Sequence, residues 1–467
     1  MSIFDIKISE YPQQLISKKE DKQKYGEINT PFSLVEKIFD LFPNKIFENP
    51  NLKWLDPGTG EGYFMMILYK RLYYGLIEKF PNPQQRSQHI IKNMLYMCEI
   101  NLKHKQKLES LFGKNMNVQF INFLDYETNM QFDCIIGNPP YNVDGAIKVP
   151  TSKLLQKKND GKTIWMDFVK KSVSLLKPNG YLSMIIPSIW LKPDRAKMNE
   201  YMFQYQLHKI HCLTNTETNK IFKKQAQTPT CFFLLEKTAP SKPISLHDKI
   251  SNSYLYLNKS ILKSNFPSMH IPLCGVSIMN KLLPFIVRFG SISVTKTNMP
   301  SKTASISSTQ DEKFKYPNVS TCILNNTTPQ LVVNYSDKPL VFNGSPKLIL
   351  AHKMYGLPYH DKKGKYGISN RDNYVITNYS PEKLEIMRQF LSTKFALFIF
   401  ETTRYRMKYL EKFAFENLPD PTKLPNFHVP INDVSIASYF KLTALERDAV
   451  LGIHKKNFDL FDVSDLE

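Results

Sequence analysis

The feature that most restricts the fold of this chain is an alternation. Over residues 1–240, apolar runs of strand length take turns with stretches of helical periodicity. Residues 52–56, 94–100, 117–123, 132–138, 181–187, 208–214 and 230–236 read as strands. Residues 62–80 and 163–176 read as helices. In the latter, Ile164, Phe168, Leu175 and Leu176 can share a face, and Lys177-Pro178-Asn179-Gly180 is expected to stop it. Strands separated by helices need crossover connections, which place neighbouring strands parallel. The expected class is α/β, a doubly wound and mostly parallel sheet. The segment TAPSKPIS at 238–245 reads as a linker. Beyond it the alternation fades, so the expected domains are 1–240 and 241–467. With 467 residues, the chain is too long for one ordinary core. The polar stretch 291–314 and the aperiodic stretch 144–163 both read as mobile loops.

Hydrophobic residues at 42% and charged residues at 22% argue against a mainly disordered chain. No apolar run reaches 18 residues, so no transmembrane helix is expected, and the opening MSIFDIKISEYPQQ lacks a signal core. Cys98, Cys134, Cys212, Cys231, Cys274 and Cys322 lie far apart without a CxxC pair. That speaks against a zinc ribbon or disulfide scaffold and for an intracellular, reducing setting. The net charge of +20 favours a polyanionic partner: DNA, RNA or an acidic membrane surface. A lysine-rich solvated surface is the plain alternative. The excess is densest in residues 241–410, with 23 basic and 9 acidic side chains.

Chemistry concentrates in three motifs. Asn138-Pro139-Pro140-Tyr141 follows the fourth strand, and ligands of open α/β sheets bind at the carboxyl ends of strands. A conjugated NH2 is a poor nucleophile because its lone pair is delocalised. The Asn138 side-chain oxygen and the Pro139 carbonyl can accept hydrogen bonds from one such amino group and favour localising that lone pair. The two prolines stiffen the turn, and Tyr141 offers a stacking face. The alternative is a Pro-Pro turn that merely closes a strand. The second motif is Asp56-Pro57-Gly58-Thr59-Gly60-Glu61-Gly62, whose glycines permit a tight turn and close approach to a ligand. Its GxGxG spacing is not the GxGxxG of dinucleotide sites. The third is Glu99-Ile100, where a carboxylate can accept two ribose hydroxyls and an apolar side chain can cover an adenine face.

In this order the motifs resemble the S-adenosyl-L-methionine-dependent amino-methyltransferases of DNA, in particular the gamma-class adenine-N6 enzymes of restriction–modification systems. The resemblance runs across residues 26–236. It implies a Rossmann-like cofactor-binding catalytic domain followed by an α+β target-recognition domain. Gly26-Glu27-Ile28-Asn29-Thr30-Pro31 and a helix over 32–42 match the family's first element, with Thr30 near the methionine carboxylate. Asp56, Pro57, Gly58 and Gly60 match the cofactor loop, and Glu99 and Ile100 the ribose and adenine contacts. Asn138, Pro139, Pro140 and Tyr141 match the catalytic motif, Asn138 also bordering the cofactor. The family's usual Asp-Phe pair on the third strand is replaced here by Asn122-Phe123, with Asp125 three residues on. Phe222 is implied as the partner of Tyr141 in sandwiching a flipped adenine.

In the second half, basic and aromatic residues interleave around Lys347, Lys353, Arg371, Arg404 and Arg406, as a DNA-contacting surface needs. A solvated charge run is the alternative for each. The reading as a whole is a monomeric, metal-free DNA adenine-N6 methyltransferase acting on double-stranded DNA, with a cognate restriction endonuclease as a further partner. Cytosine-N4 methylation, RNA adenine or protein glutamine methylation, and an inactive DNA-binding homologue stay open as alternatives.

Overall fold

The computed structural model describes residues 11–13, 15–142, 163–226, 228–257, 270–325, 328–352, 357–405, 410–427 and 430–453. The expected loop at 144–163 lies outside them except for Thr163. The chain divides between Leu246 and His247 into two compact units.

The first unit is built on β1 (Trp54–Asp56), β2 (Leu95–Cys98), β3 (Asn117–Gln119), β4 (Phe132–Gly137), β5 (Leu176–Pro187), β6 (Gln206–Leu213), β7 (Thr230–Glu236) and β8 (Ser245–Asp248). Their order across the sheet is β3-β2-β1-β4-β5-β7-β6-β8. The β3-β2-β1-β4-β5 run is parallel, β7 is antiparallel to both β5 and β6, and β6 pairs parallel with β8 through Ser245 and Leu246. This is the doubly wound sheet expected from the alternation. The chain winds outward from β1 to β3, then returns to place β4 on the other side of β1. That reversal opens a crevice at the carboxyl ends of β1 and β4.

Helices α1 (Lys19–Tyr25), α2 (Phe32–Phe39) and α3 (Tyr63–Gly75) precede and follow β1, and α6 (Trp165–Leu175) leads into β5. On α2, Leu34, Val35, Ile38 and Phe39 are buried at the spacing of one helix face. Each contributes about 2 kcal/mol by leaving water. They meet an aromatic cluster in which Phe47 stacks on Trp54 at 5.8 Å.

The helix stops just ahead of Lys177–Gly180, but those residues already lie within a strand. The helix ends at Leu175, and Leu176 already pairs with Phe132. Residues 177–180 instead bulge between Leu176 and Tyr181, with Asn179 at φ 62° and Lys177 bound to Asp133 at 2.7 Å. The strand takes over because its parallel partner is available there.

The second unit carries two four-stranded sheets with helices, the α+β arrangement. One sheet joins Thr295–Lys296, Asn373–Ile376, Lys347–Ala351 and Tyr359–Asp361, all antiparallel. The other joins Ile306–Ser307, Thr328–Ser336, Tyr316–Asn325 and Gly367–Ile368. Helices Val276–Phe289, Pro381–Leu391 and Lys394–Thr402 supply most of an apolar core with Leu350, Tyr374 and Phe415. The 291–314 stretch is not a free loop. It contributes two short strands, and the Thr297 hydroxyl donates to Asn370 O at 2.6 Å and Asn373 O at 3.0 Å. Among the described residues no helix is long and apolar enough to cross a membrane.

Lys347 corrects an expectation. Its side chain is 0% exposed, so it cannot reach a phosphate. Its ammonium donates to Asp361 at 2.7 Å, Phe342 O at 2.9 Å and Ser345 O at 3.0 Å. Asp361 in turn accepts from Lys365 N and Tyr366 N. The pair staples the 342–347 turn to the 361–366 turn. Removing one partner of such a pair strands a buried charge. Asp361→Ala is expected to destabilise the protein by about 3–5 kcal/mol. The double replacement Lys347→Met/Asp361→Leu, which strands neither charge, should cost much less, and denaturant unfolding of both variants checks the difference.

Candidate active site

Two strand ends define the site. Asp56 closes β1 and Gly137 closes β4, and the parallel register Leu55↔Ile135 sets the two ends side by side. A Cβ on Gly137 would stand 2.8 Å from the Asp56 Oδ1, so a glycine is required for the two ends to approach. Asp56 Oδ1 accepts from Gly58 N at 3.1 Å, which tightens the turn, while its Oδ2 is buried without a hydrogen-bond partner. Glu99 bridges from β2. One of its oxygens accepts from Gly60 N and the other from Asn101 N, both at 2.6 Å. Each carboxylate oxygen keeps a further lone pair for a ligand hydroxyl.

Residues 15–30 form an N-terminal strap that packs against the residues following β4. Gly26, at φ 69°, ends α1 and packs against Pro140, where a Cβ would come within 3.1 Å. Glu27 meets His104 at 3.0 Å, and Asn101 donates to both Asp21 and Glu27 at 3.4 Å. At its other end the strap is tied to Gln225, whose side chain donates to Leu15 O at 2.6 Å and accepts from Ser17 N at 3.2 Å.

The strap orients Asn138. The amide nitrogen donates to Thr30 Oγ1 at 3.1 Å and Ile28 O at 3.4 Å. A carbonyl can only accept, so the amide cannot be reversed without losing that bond. The Asn138 Oδ1 is thereby left buried and without a hydrogen-bond partner. Pro139 is buried and Pro140 half-buried. The Tyr141 hydroxyl points to Ile185 O at 3.5 Å, and Tyr141 O accepts from Ile164 N at 3.1 Å.

A cavity of about 330 Å³ joins these pieces. Thr30, Pro57, Gly58, Gly60, Glu99, Ile100, Asn122, Phe123 and Asn138 all line it. Of the anticipated cofactor contacts, only Asp56 stands behind the wall rather than in it. Asn122 caps a short turn by accepting from Leu124 N and donates to Asp125 at 3.0 Å. Phe123 is buried against Phe168, ring centres 5.3 Å apart. Three carboxylates also line the cavity, those of Glu27, Glu61 and Glu99. Sequence reasoning did not single out Glu27, Glu61, Tyr63, Ile164 or Phe168 for this role. Ile164 and Phe168 were visible only as helix-face residues.

Tyr141 and Phe222 do not line the cavity. Phe222 is 1% exposed and belongs to the apolar core with Ile185, Phe232 and Leu234. Phe222 therefore presents no open face to pair with Tyr141 across a base. The reason is packing: Phe222 ends α8 (Asn215–Ile221) with its ring turned into the sheet core. Elsewhere, Arg371 is exposed, Arg404 pairs with Glu401 at 2.7 Å, and Lys353 and Arg406 lie outside the described residues.

The electrostatics are unusual for so enclosed a place. Burial, opposed by the Gly58 N–H and aided by the nearby Glu99 charge, pushes the Asp56 carboxyl up to about 7. Burial also raises Glu99. His104 is raised in spite of burial, because Glu27 bonds it and Glu99 and Glu61 add negative charge.

Residues 66–222 match the Eco57I restriction-modification methylase family. An uncharacterized adenine-specific methylase of Mycoplasma pneumoniae is 28% identical over 243 residues, covering 35% of this chain and 56% of the relative. The type II restriction enzyme and methyltransferase RM.Eco57I of Escherichia coli is 31% identical, covering 28% of this chain and 13% of its own. The type II methyltransferase M.BstVI of Geobacillus stearothermophilus is 25% identical, with coverages of 38% and 35%. The matches thus span about half or less of these relatives' lengths.

Asp56 generates a pH prediction. The folded carboxyl holds its proton to about 7, against an ordinary value of 3.8. The unfolded chain therefore binds fewer protons between those values, and stability falls as pH rises from about 4 to about 7. The full loss is on the order of 4 kcal/mol. Melting temperature measured against pH should show that decline in the wild type and a much flatter profile in Asp56→Asn.

Proposed function

We propose that this chain is an S-adenosyl-L-methionine-dependent DNA methyltransferase that modifies N6 of an adenine extruded from duplex DNA. The observation that carries the reading is the oriented Asn138 amide, with its nitrogen held by Thr30 and Ile28 and its oxygen left as a buried, unfilled acceptor. Such an acceptor suits an exocyclic amino group that must become more nucleophilic.

The residues present fit the cofactor. The cavity is lined by carboxylates, which complement a cationic ligand, and by Ile100 and Phe123, which offer apolar faces. Glu99 retains acceptor capacity for ribose hydroxyls, Thr30 of the strap lines the cavity, and the Gly58–Gly60 turn permits close approach of backbone. When bound, the cofactor supplies an electrophilic methyl group on a sulfonium.

The chain's own contribution is positioning and electrostatics. Asn138 Oδ1 and the Pro139 carbonyl accept from the adenine amino group and aim its lone pair along the line of attack. Tyr141 carries the stacking, because Phe222 is a core side chain. The amino proton passes to solvent water after methyl transfer, and no covalent bond to the enzyme is required. Extrusion is needed because N6 is unreachable within a paired helix. The second unit, which contains nearly all of the densely basic 241–410 stretch, serves as the target-recognition domain, and exposed Arg371 belongs to its DNA-facing candidates. The protein works as a monomer inside the cell, with a restriction endonuclease of the same specificity as its counterpart.

Incubation with the cofactor and unmethylated duplex DNA, followed by nucleoside mass spectrometry, tests the reading. N6-methyladenine is the expected product; N4-methylcytosine, or label only in RNA or protein, overturns it. Asn138→Ala is expected to lower turnover at least about 100-fold, the size seen when one transition-state hydrogen-bond partner is lost. Cofactor affinity, measured by calorimetry, should change only slightly.

A further inference from the structure

The turn between α8 and β7 places two lysines where lysine is disfavoured. Lys223 has φ 47° and Lys224 φ 65°. Among the described residues they form the only pair of consecutive non-glycine positions in the left-handed region. Such a conformation strains any side chain with a Cβ, and glycine or asparagine is the usual occupant after a helix.

The turn is held firmly. Lys223 N donates to Lys220 O at 3.1 Å, Lys224 N to Asn219 O at 2.7 Å and Gln225 N to Phe222 O at 2.9 Å. Phe222 at 1% and Ala226 at 5% exposure anchor its two feet in the core. The Gln225 side chain is tied to Leu15 and Ser17, and Lys22 donates to Gln225 O at 2.8 Å. Between these anchors both lysine side chains are exposed. Glu217, the acid nearest on the preceding helix, is occupied at the helix start, where it accepts from Thr214 N.

The turn also stands at the functional edge of the sheet. It lies between the carboxyl end of β6 and the start of β7, where Thr230 pairs with both Leu213 and Pro187. Gly137, the last residue before Asn138, pairs with Met184 on the same β5. The strap that binds Gln225 is the one whose Gly26 packs on Pro140 and whose Thr30 holds Asn138. One strap therefore braces the lysine turn and the Asn138–Tyr141 turn together.

We propose that Lys223 and Lys224 form a preorganised clamp for backbone phosphates of the DNA strand that enters this site. The inference rests on the DNA-methyltransferase reading and adds residues to it. A helix C-terminus favours positive charge by itself, but that needs neither two lysines nor two strained positions. Strain held rigidly at a site edge, with the cations outward, fits a ligand-facing role.

The test uses the full chain and duplexes of unrelated sequence, since phosphate contacts are sequence-independent. Binding is measured over a salt series for the wild type, K223Q/K224Q and K223G/K224G. Both variants should lower the slope of log affinity against log salt by about two, alike for every duplex, with cofactor affinity unchanged. The glycine variant should also melt about 2–4 °C above the glutamine variant, because it relieves the strain. An unchanged salt slope in either folded variant overturns the clamp, as does a wild type that does not bind duplex DNA. A wild type that shows the slope change with these variants yet yields no N6-methyladenine supports the clamp and counts against the reaction alone.

Discussion

The site depends on which way one amide points. An asparagine presents an acceptor and a donor of nearly equal shape, and only its neighbours decide between them. At Asn138 the decision comes from the Ile28 carbonyl, which can accept and nothing else, with Thr30 Oγ1 as the second contact. Everything that holds residues 15–30 in place therefore acts on the chemistry. Gly26 lets the strap lie against Pro140, and Gln225 ties its far end. The Asn138–Tyr141 turn and the N-terminal strap are more than 100 residues apart in sequence and are held together.

A second constraint is electrostatic. Four carboxyl groups, Asp56, Glu99, Glu27 and Glu61, surround or back a single cavity. Asp56 carries the clearest penalty, since burial leaves one of its oxygens without a partner and raises its proton affinity. Glu61 is compensated by Lys107 and the Tyr63 hydroxyl, and Glu27 by His104. Enclosing so many carboxyl groups costs stability wherever one of them lacks a partner for its charge.

Much of the fold was legible because its signals are local. A strand must have an apolar run, a helix must have a 3.6-residue period, and the seven strands of 1–240 appear near where those periods predict them. The Gly-rich turn and Asn138–Tyr141 were legible for a related reason: backbone approach and a stiff turn require glycine and proline at particular places. What local reading missed was exposure. Lys347 looks like any lysine in a basic stretch, yet two turns and Asp361 enclose it. Phe222 sits where the resemblance implied a stacking ring, yet its ring packs into the core. The 291–314 stretch is mostly polar, but Ile292 and Val294 anchor it in the core and the Thr297 hydroxyl pins it to backbone.

The sequence by itself determined the kind of sheet, the turns at its carboxyl edge and the chemical type of each group placed there, because periodicity, glycine, proline and side-chain functionality are properties of short segments. Tertiary structure alone decided the direction of the Asn138 amide, the burial that lifts Asp56, and which cations face solvent and which are walled in. Those depend on which distant backbone groups arrive beside a side chain, and no short stretch of sequence contains both partners.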